Sequence, residues 1–178
     1  MKTHATRIQK PGRDQAGFTL IEILIVVILL GILATIIIPQ VSVSSDDAKL
    51  NALKTNLGQM RGAIELYYYQ HTNNYPGAAV PTTKPADVTD TATAFTAQLM
   101  RYTDVSGNIS NSGTSTYAYG PYVAGVFPTN PYNSLNTMTI DTTNTDITVK
   151  SSTGAGTGWK FYAKTGVLMA ADGSHDAL

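Results

Sequence analysis

The sequence has 178 residues and no cysteine, which excludes a disulfide framework, thiol catalysis and cysteine metal sites. Its 12 basic and 12 acidic side chains give a formal net charge of zero, but residues 1–17 hold four of the basic residues and one acidic residue, which leaves 8 basic and 11 acidic residues in the rest. This acidic balance argues against a basic surface for nucleic acid, so we expect no nucleic-acid partner.

The first 17 residues form a basic leader without an apolar run. Its charged residues are Lys2, Arg7, Lys10, Arg13 and the single acid Asp14. An ordinary secretory signal is cleaved behind a short apolar core of about 7 to 15 residues. Here the small residues Ala16 and Gly17 instead precede a longer apolar run. Cleavage after Gly17 would therefore leave the apolar segment attached and give Phe18 a new α-amine.

The segment from Phe18 to Ile38 is long and apolar enough to span a membrane. Sixteen of its 21 residues are Phe, Leu, Ile or Val, and Glu22 is its only charge. As an α-helix it would reach about 31 Å, the thickness of a bilayer's hydrocarbon core. The basic leader predicts a cytoplasmic N-terminus and a periplasmic C-terminal domain. We expect Glu22 to have a cationic partner; the alternative is a carboxylate that reaches the membrane interface from the helix end.

The sequence Gly-Phe-Thr-Leu-Ile-Glu at residues 17–22, followed by a long apolar run, resembles the N-terminus of type IV pilins and type II secretion pseudopilins. The resemblance implies cleavage between Gly17 and Phe18 by a prepilin peptidase, N-methylation of Phe18, and polymerisation into a filament extracted from the inner membrane. It also implies that Glu22 pairs with the Phe18 amine of a neighbouring subunit. The implied partners are further copies of the chain, minor pseudopilins or pilins, the peptidase, an inner-membrane assembly platform and membrane lipid.

Behind the apolar segment, the apolar residues recur at steps of three, four and seven, which predicts an amphipathic helix from about Ser42 to His71 that is continuous with the span. The apolar face of this helix consists of Val43, Leu50, Leu53, Leu57, Met60, Ile64 and Tyr67. Arg61 and Glu65 lie one helical turn apart and are interpreted as an ordinary solvated ion pair.

The rest of the chain is expected to form a globular head with a short helix and a small sheet. Proline, glycine and asparagine at residues 73–77 predict the end of the long helix. Apolar residues at helical spacing predict a second helix over Thr91–Tyr102. Residues 103–120 are dominated by Ser, Gly, Asn and Thr and are interpreted as an exposed loop.

Alternating apolar residues predict two strand pairs near the C-terminus. Residues 137–141 and 146–150 flank a Thr-Thr-Asn-Thr turn, and residues 159–164 and 167–171 flank the turn at Thr165-Gly166. The expected result is an antiparallel sheet with one apolar face that can cover the helix.

Two phrases in this part of the chain are similar to the major G-type pseudopilin. One is Ala-Ile-Glu-Leu-Tyr at residues 63–67, which is followed by Tyr75-Pro76. The other combines Gly-Pro-Tyr at residues 120–122 with Pro-Thr-Asn-Pro at residues 128–131, and in that group such phrases form the turn-rich entry to the sheet.

No constellation of catalytic residues is found in the sequence. The histidines His4, His71 and His175 are scattered. Ser174, His175 and Asp176 are the residue types of a hydrolase triad, but consecutive side chains do not easily converge into that geometry. We therefore expect no catalytic function.

An oxygen-rich cluster near the C-terminus is a candidate calcium site. It contains Asp172 and Asp176, and calcium favours carboxylates on a flexible loop. The resemblance supports this reading because G-type pseudopilins hold calcium in a C-terminal loop. The alternative is a frayed tail, and no other cofactor is expected.

The sequence predicts an α+β, pilin-like fold in which a long N-terminal helix packs on a small C-terminal antiparallel sheet. Its expected parts are a cleaved leader (1–17), a membrane or filament-core helix (18–39), the amphipathic half of that helix (40–72) and a periplasmic head (73–178). The expected function is that of a structural subunit of a type II secretion pseudopilus, anchored by a single pass in the inner membrane. The alternatives are a type IV pilin of a surface filament and a periplasmic binding module that uses the helix only as an anchor.

Overall fold

The computed structural model describes residues 17–146, 148 and 156–178, and the side chains of residues 36–44 lie outside the described part. Most of the predicted leader and of the predicted strand at residues 146–150 also lies outside it. The chain divides into two compact units, an N-terminal unit up to Ser44 and a C-terminal unit from Ser45 to Leu178.

Helix α1 (Leu20–Gln70) begins in the N-terminal unit and ends in the C-terminal unit, which confirms the prediction of one continuous helix. In the C-terminal unit its predicted apolar face is buried, because residues spaced three and four apart fall on one side of a helix. Five of these side chains are at most 2% exposed, namely Leu53, Leu57, Met60, Ile64 and Tyr67. The side chain of Val43, at the start of the predicted face, lies outside the described residues.

Arg61 does not form the predicted ion pair with Glu65. Its guanidinium Nη2 donates hydrogen bonds to the carbonyl oxygens of Leu168, at 2.8 Å, and Leu178, at 2.6 Å. The prediction considered only neighbours on the same helix and was wrong because other parts of the C-terminal unit bring main-chain acceptors to this side chain. Arg61 thereby connects α1 to the C-terminal segment.

Helix α1 ends where the chain enters the left-handed region. Thr72 and Asn73 have φ angles of 52° and 60°, and the Asn73 N–H donates to the Tyr68 carbonyl at 3.1 Å. Asparagine tolerates this conformation better than most residues, and Pro76 follows soon after. The predicted stop at residues 73–77 therefore lies just behind the observed end of the helix.

Helix α2 (Thr91–Met100) confirms the predicted second helix, although it ends two residues earlier than predicted. Asp90 is its N-cap: the Asp90 carboxylate accepts from the Thr93 N–H at 2.8 Å, and Thr93 Oγ1 accepts from the Asp90 N–H at 3.0 Å. This reciprocal capping satisfies amide groups that have no partner inside the helix.

The predicted exposed loop at residues 103–120 contains a small sheet, so that prediction was wrong in part. Strand β1 (Tyr102–Thr103) pairs antiparallel with β2 (Ile109–Ser110). Thr103 is fully buried and Ile109 is 3% exposed. The polar residues that suggested a solvated loop instead form the turn between β1 and β2. In this turn the Asp104 carboxylate accepts hydrogen bonds from the N–H groups of Ser106 and Asn108, both at 2.9 Å.

The larger sheet has the order β3-β4-β5 and differs from the prediction at one edge. Strands β4 (Trp159–Tyr162) and β5 (Val167–Ala170) form the predicted antiparallel hairpin. Strand β3 (Met138–Asp141) instead runs parallel to β4, so the sheet is mixed and the expectation of a purely antiparallel sheet was wrong. The connection over residues 142–158 is longer than the dozen residues that a parallel crossover requires.

Gly158 explains why β3 lies beside β4. A Cβ atom at this position would lie 2.0 Å from the carbonyl oxygen of Leu135, so only glycine allows the two main chains to approach this closely. The N–H groups of Gly158 and Trp159 both donate to the Thr137 carbonyl at 3.1 Å. The Thr137 carbonyl, just before β3, thus accepts its hydrogen bonds from the start of β4.

The core of the C-terminal unit lies between α1, α2 and the mixed sheet. Trp159, Phe161 and Leu168 from the sheet share one buried cluster with the apolar face of α1 and with Phe95 from α2. The indole N–H of Trp159 donates to the Pro128 carbonyl at 2.8 Å, so this large buried side chain leaves no unpaired donor. The α+β fold class is confirmed.

Candidate functional site

The N-terminal motif lies at the beginning of α1, where its side chains form a capping box. Thr19 occupies the N-cap position and Glu22 the third helical position. The Glu22 N–H donates to Thr19 Oγ1 at 3.3 Å, and the Thr19 N–H donates to Glu22 Oε2 at 3.4 Å. This reciprocal pair follows from the spacing Thr-x-x-Glu and fixes where the helix begins.

The capping box places the Glu22 carboxylate over the first turn of α1. Amide N–H groups without helical partners and the positive end of the helix dipole favour a negative charge there. Phe18 precedes the box and is 80% exposed, and an added Cβ at Gly17 would meet no atom within 4 Å. The predicted cleavage point between Gly17 and Phe18 is therefore open on the surface of the N-terminal unit.

The large apolar side chains from Phe18 to Leu33 are exposed in the described part of the N-terminal unit. Between Phe18 and Leu33 their exposed fractions range from 47% to 86%. Because these residues occupy successive positions around the helix, this part of α1 is apolar on every side, whereas an ordinary surface helix has one polar face. An exposed apolar surface of this kind is typical of a site that contacts another protein or a membrane.

Among the residues whose side chains are described, no helix combines the length and the apolarity needed to cross a membrane. The predicted span from Phe18 to Ile38 ends with residues 36–38, whose side chains lie outside that part of the structure.

The first predicted calcium ligand, Asp172, is held in a network of hydrogen bonds. Its Oδ1 accepts from the N–H of Ser174 at 2.9 Å, the N–H of His175 at 3.0 Å and the Nδ1 of His175 at 2.9 Å. Its Oδ2 accepts from the Asn130 side-chain amide at 3.1 Å. Burial alone would raise the pKa of Asp172, but the hydrogen bonds from Asn130, His175 and Ser174 together lower it.

This network differs from the arrangement that a calcium site requires. Both carboxylate oxygens of Asp172 face donors, whereas a cation would need several oxygens turned toward one point. In the residues that the structure describes, no group of three or more His, Cys, Asp or Glu side chains could hold a metal ion. The involvement of Asp172 and Asp176 in calcium binding stays a prediction.

A groove between α2 and β3 is a concave surface of the C-terminal unit. It has a volume of about 470 Å³, and its floor contains Met100, Phe127 and Met138. Its ionisable side chains are Asp87 and Arg101, which form an ion pair with each other. This lining provides no combination of nucleophile and base for catalysis.

Two buried polar residues were not singled out from the sequence. Asn130 is fully buried, and its side-chain amide joins the Gly158 carbonyl, at 2.9 Å, to Asp172. His71 is 1% exposed. Its spacing offered a signal, because it follows Tyr67 by four residues and so continues the apolar face of α1. Asn130 gave no comparable signal, since its partners are distant in the chain.

The N-terminal motif matches a known family model. Residues 12–38 match the model of the prokaryotic N-terminal methylation motif. This range includes Gly17, Phe18 and Glu22, as well as the apolar run behind them. The type of N-terminus that the sequence predicts is therefore supported, and the roles of the individual residues stay predictions.

Curated relatives match part of the chain. The chain is 46% identical over 55 residues to the type II secretion system core protein G of Pseudomonas aeruginosa. The aligned residues cover 31% of this chain and 39% of that protein. The chain is 31% identical over 78 residues to the protein of the same name from Pectobacterium carotovorum, which covers 42% of this chain and 49% of that protein.

A protein with a different name is also similar to part of this chain. The type IV major fimbrial protein FimA of Dichelobacter nodosus is 49% identical over 51 residues, which covers 29% of this chain and 33% of FimA. The chain thus spans less than half the length of these three curated relatives, and no solved structure matches it significantly. The chain carries the prokaryotic N-terminal methylation motif, and its similarity to type IV pilins and type II secretion pseudopilins, including the G type, is confirmed.

Proposed function

We propose that this chain is a structural, non-catalytic subunit of a type II secretion pseudopilus, of the G type. One observation carries the proposal: a Gly-Phe-Thr-Leu-Ile-Glu motif at residues 17–22 opens a helix whose apolar side chains are exposed on every side. A monomer in water would be destabilised by such a surface, whereas a bilayer and a bundle of like helices both cover it. The identity to core protein G supports the same assignment.

In this proposal the prepilin peptidase cleaves between Gly17 and Phe18, and the new amine of Phe18 is methylated. The exposed position of both residues supports access by the enzyme. Glu22 then pairs with the Phe18 amine of a neighbouring subunit. Its place over the first helical turn supports this role, because the capping box holds the carboxylate near the end of the helix where that amine arises.

The proposed location is the inner membrane, with a cytoplasmic leader and a periplasmic head. The 21 residues from Phe18 to Ile38 supply the span by length and composition, and the four basic residues of the leader set the direction. Subunits then leave the membrane for the filament. The proposed partners are further copies, minor pseudopilins, the peptidase and an inner-membrane assembly platform.

The first experiment tests processing. The full chain is produced with and without a prepilin peptidase, extracted from membranes, and its N-terminal peptide is measured by mass spectrometry. We expect a peptide that begins at N-methylated Phe18 only when the peptidase is present. An intact Met1 in both samples would contradict the proposal and favour a module that uses the helix as an anchor.

The second experiment tests assembly through Glu22. We expect Glu22→Ala to abolish filament formation, measured as subunits in sheared or cross-linked filaments, while the protein still enters the membrane. Glu65→Ala is the matched control, because Glu65 is an exposed acid on the same helix within the C-terminal unit. If Glu22→Ala assembles as well as Glu65→Ala, the pairing of Glu22 with the neighbouring amine is wrong.

A type IV pilin is the second candidate, and the identity to FimA favours it. The two candidates share processing and assembly and differ in where the filament lies. Surface filaments at normal expression would indicate a pilin. Failure to export folded enzymes after deletion, without loss of surface filaments, would indicate a pseudopilin.

A further inference from the structure

His71 lies buried at the end of α1, inside a group of aromatic rings. It is 1% exposed and stacks on Tyr67, with ring centroids 3.7 Å apart and planes 5° from parallel. The rings of Tyr119 and Tyr122 meet it edge-on at centroid distances of 5.3 and 6.2 Å. The function proposed above makes no use of this residue.

The hydrogen bonds of His71 fit a neutral imidazole. Its Nδ1 lies 2.8 Å from the Tyr67 carbonyl, which only accepts, so Nδ1 carries the proton. Its Nε2 lies 2.9 Å from Oγ1 of Thr103, a fully buried hydroxyl that donates to the bare nitrogen. Both ring nitrogens are therefore satisfied when the ring carries no charge.

Groups at Tyr67 and Asp104 offset only part of the cost of burying a charged ring. Tyr67 faces the ring from α1, and Thr103 faces it from β1. Asp104 follows β1 directly, and Tyr119 and Tyr122 lie in the segment that follows β2. Burial lowers the pKa of His71, against weaker opposing effects of the Tyr67 carbonyl and of Asp104. Burial also raises the pKa of Tyr122 to about 12, so this neighbour stays uncharged.

Asp104 is the acidic group near the ring, and its oxygens are bound elsewhere. Oδ1 accepts from the N–H groups of Ser106 and Asn108, both at 2.9 Å, and Oδ2 accepts from the Asn108 side chain at 2.8 Å. A charge on His71 would therefore gain no hydrogen bond from this carboxylate without breaking the turn between β1 and β2.

His71 joins three parts of the C-terminal unit. Its hydrogen bond to Thr103 connects the end of α1 to β1, and Thr103 pairs with Tyr119 through two main-chain hydrogen bonds of 2.9 and 3.1 Å. One residue earlier in the chain, the Gln70 side chain accepts from the Tyr122 hydroxyl at 2.6 Å. A change in the protonation of the imidazole therefore affects the contacts of β1 and of the segment 119–122 together.

We propose that His71 is an acid-sensitive latch between the end of α1, β1 and the segment 119–122. When neutral, the ring holds these parts together; when protonated, it opens them locally while the hairpin β4–β5 stays folded. Because the folded state takes up fewer protons than the unfolded state, acid favours opening. The opening equilibrium is expected to rise by up to about tenfold per pH unit below about pH 6.5.

The test uses the full chain in detergent micelles. Histidine labelled at Cε1 gives one NMR signal per ring, and His71→Gln and His175→Gln assign the signals. We expect His71 of the wild type to titrate below the ordinary value of about 6.5, because burial disfavours its charged form and lowers its pKa. A midpoint at or above the ordinary value would overturn the proposal, and the titration itself is measured on the wild type.

Amide hydrogen exchange tests the local opening. Between pH 7 and pH 5, after correction for the intrinsic rate, exchange at Thr103 and Tyr119 is expected to rise about tenfold or more relative to Ala163 and Ala171, whose N–H groups are bonded within and beside the larger sheet. His71→Gln should remove this pH dependence, and His175→Gln should keep it. An equal rise at all four amides, or an unchanged response in His71→Gln, would overturn the latch.

Discussion

The two parts of helix α1 have similar apolar residues and opposite surroundings. In the N-terminal unit, large apolar side chains such as Leu29 are about half exposed or more; in the C-terminal unit, Leu57 and its neighbours on the same face are almost completely buried. The head covers one face of the second part, whereas the first part has no cover from its own chain among the described residues. Helix formation is thus common to both parts, and among the described residues the second part gains stability from packing within its own unit.

Replacing one leucine in each part of α1 by alanine tests this difference most strongly. Leu57→Ala is expected to lower the free energy of unfolding of the C-terminal unit by about 2 to 5 kcal/mol, because it leaves a cavity in the core. Leu29→Ala is the matched control and should change that free energy by less than about 0.5 kcal/mol. The fluorescence of Trp159, the chain's one tryptophan, reports on the unit during urea unfolding.

Equal effects of the two alanine variants would contradict the comparison. Such a result would mean that the first part of α1 also contributes to the stability of the head. In that case the exposed fractions of the two leucines, 55% for Leu29 and 1% for Leu57, would not describe the protein in solution.

A pair of glycines sharpens the same comparison with a smaller effect. Gly158→Ala places a methyl group 2.0 Å from the Leu135 carbonyl and should destabilise the C-terminal unit by about 1 to 3 kcal/mol, because β3 must move away from β4. Gly31→Ala meets no atom within 4 Å, so it should leave the unit unchanged and increase helix content slightly. Urea unfolding and circular dichroism measure the two quantities. A stable Gly158→Ala variant would show that β3 does not need this close approach.

Two acids provide a contrast that depends on pH. Asp172→Asn should lower the free energy of unfolding by about 1 to 3 kcal/mol at pH 7, because the carboxylate accepts four hydrogen bonds. The pKa of Asp172 is lowered on folding, so its contribution is complete above about pH 4 and is lost as the pH falls through the lowered value.

Urea midpoints at pH 7 and pH 3 check the prediction for Asp172. The difference between wild type and Asp172→Asn should shrink in acid, whereas the exposed control Asp47→Asn should differ little from wild type at either pH. Addition of calcium during the same measurement examines the predicted metal site, since a bound ion would raise the midpoint of the wild type and not that of Asp172→Asn. A constant difference between pH 7 and pH 3 would contradict the assigned role of the carboxylate.

Features with a local cause could be predicted from the sequence. The apolar face of α1 follows from spacing alone, α2 begins at an aspartate that caps it, and the hairpin β4–β5 closes at Thr165-Gly166, where Gly166 has a φ of 75°. The N-terminal motif is also local, because six consecutive residues carry it.

Features that depend on distant partners could not be predicted. The parallel pairing of β3 with β4 depends on Leu135 approaching Gly158, and nothing in either segment alone indicates that approach. The candidate calcium site was interpreted without Asn130, which is 42 residues from Asp172 and supplies one of its donors. The loop after α2 was interpreted from its composition, although the Asp104 carboxylate folds it into a turn.

The position of β4 in the sheet has a consequence for synthesis of the chain. Strand β4 lies between two partners, of which β5 follows after residues 163–166, whereas β3 precedes β4 by residues 142–158. Closing the shorter connection costs less entropy, so the hairpin is expected to form before β3 joins it. Strand β3 leaves the ribosome first and must wait for its neighbour. The apolar face of α1 therefore stays without its sheet until the last part of the chain has emerged.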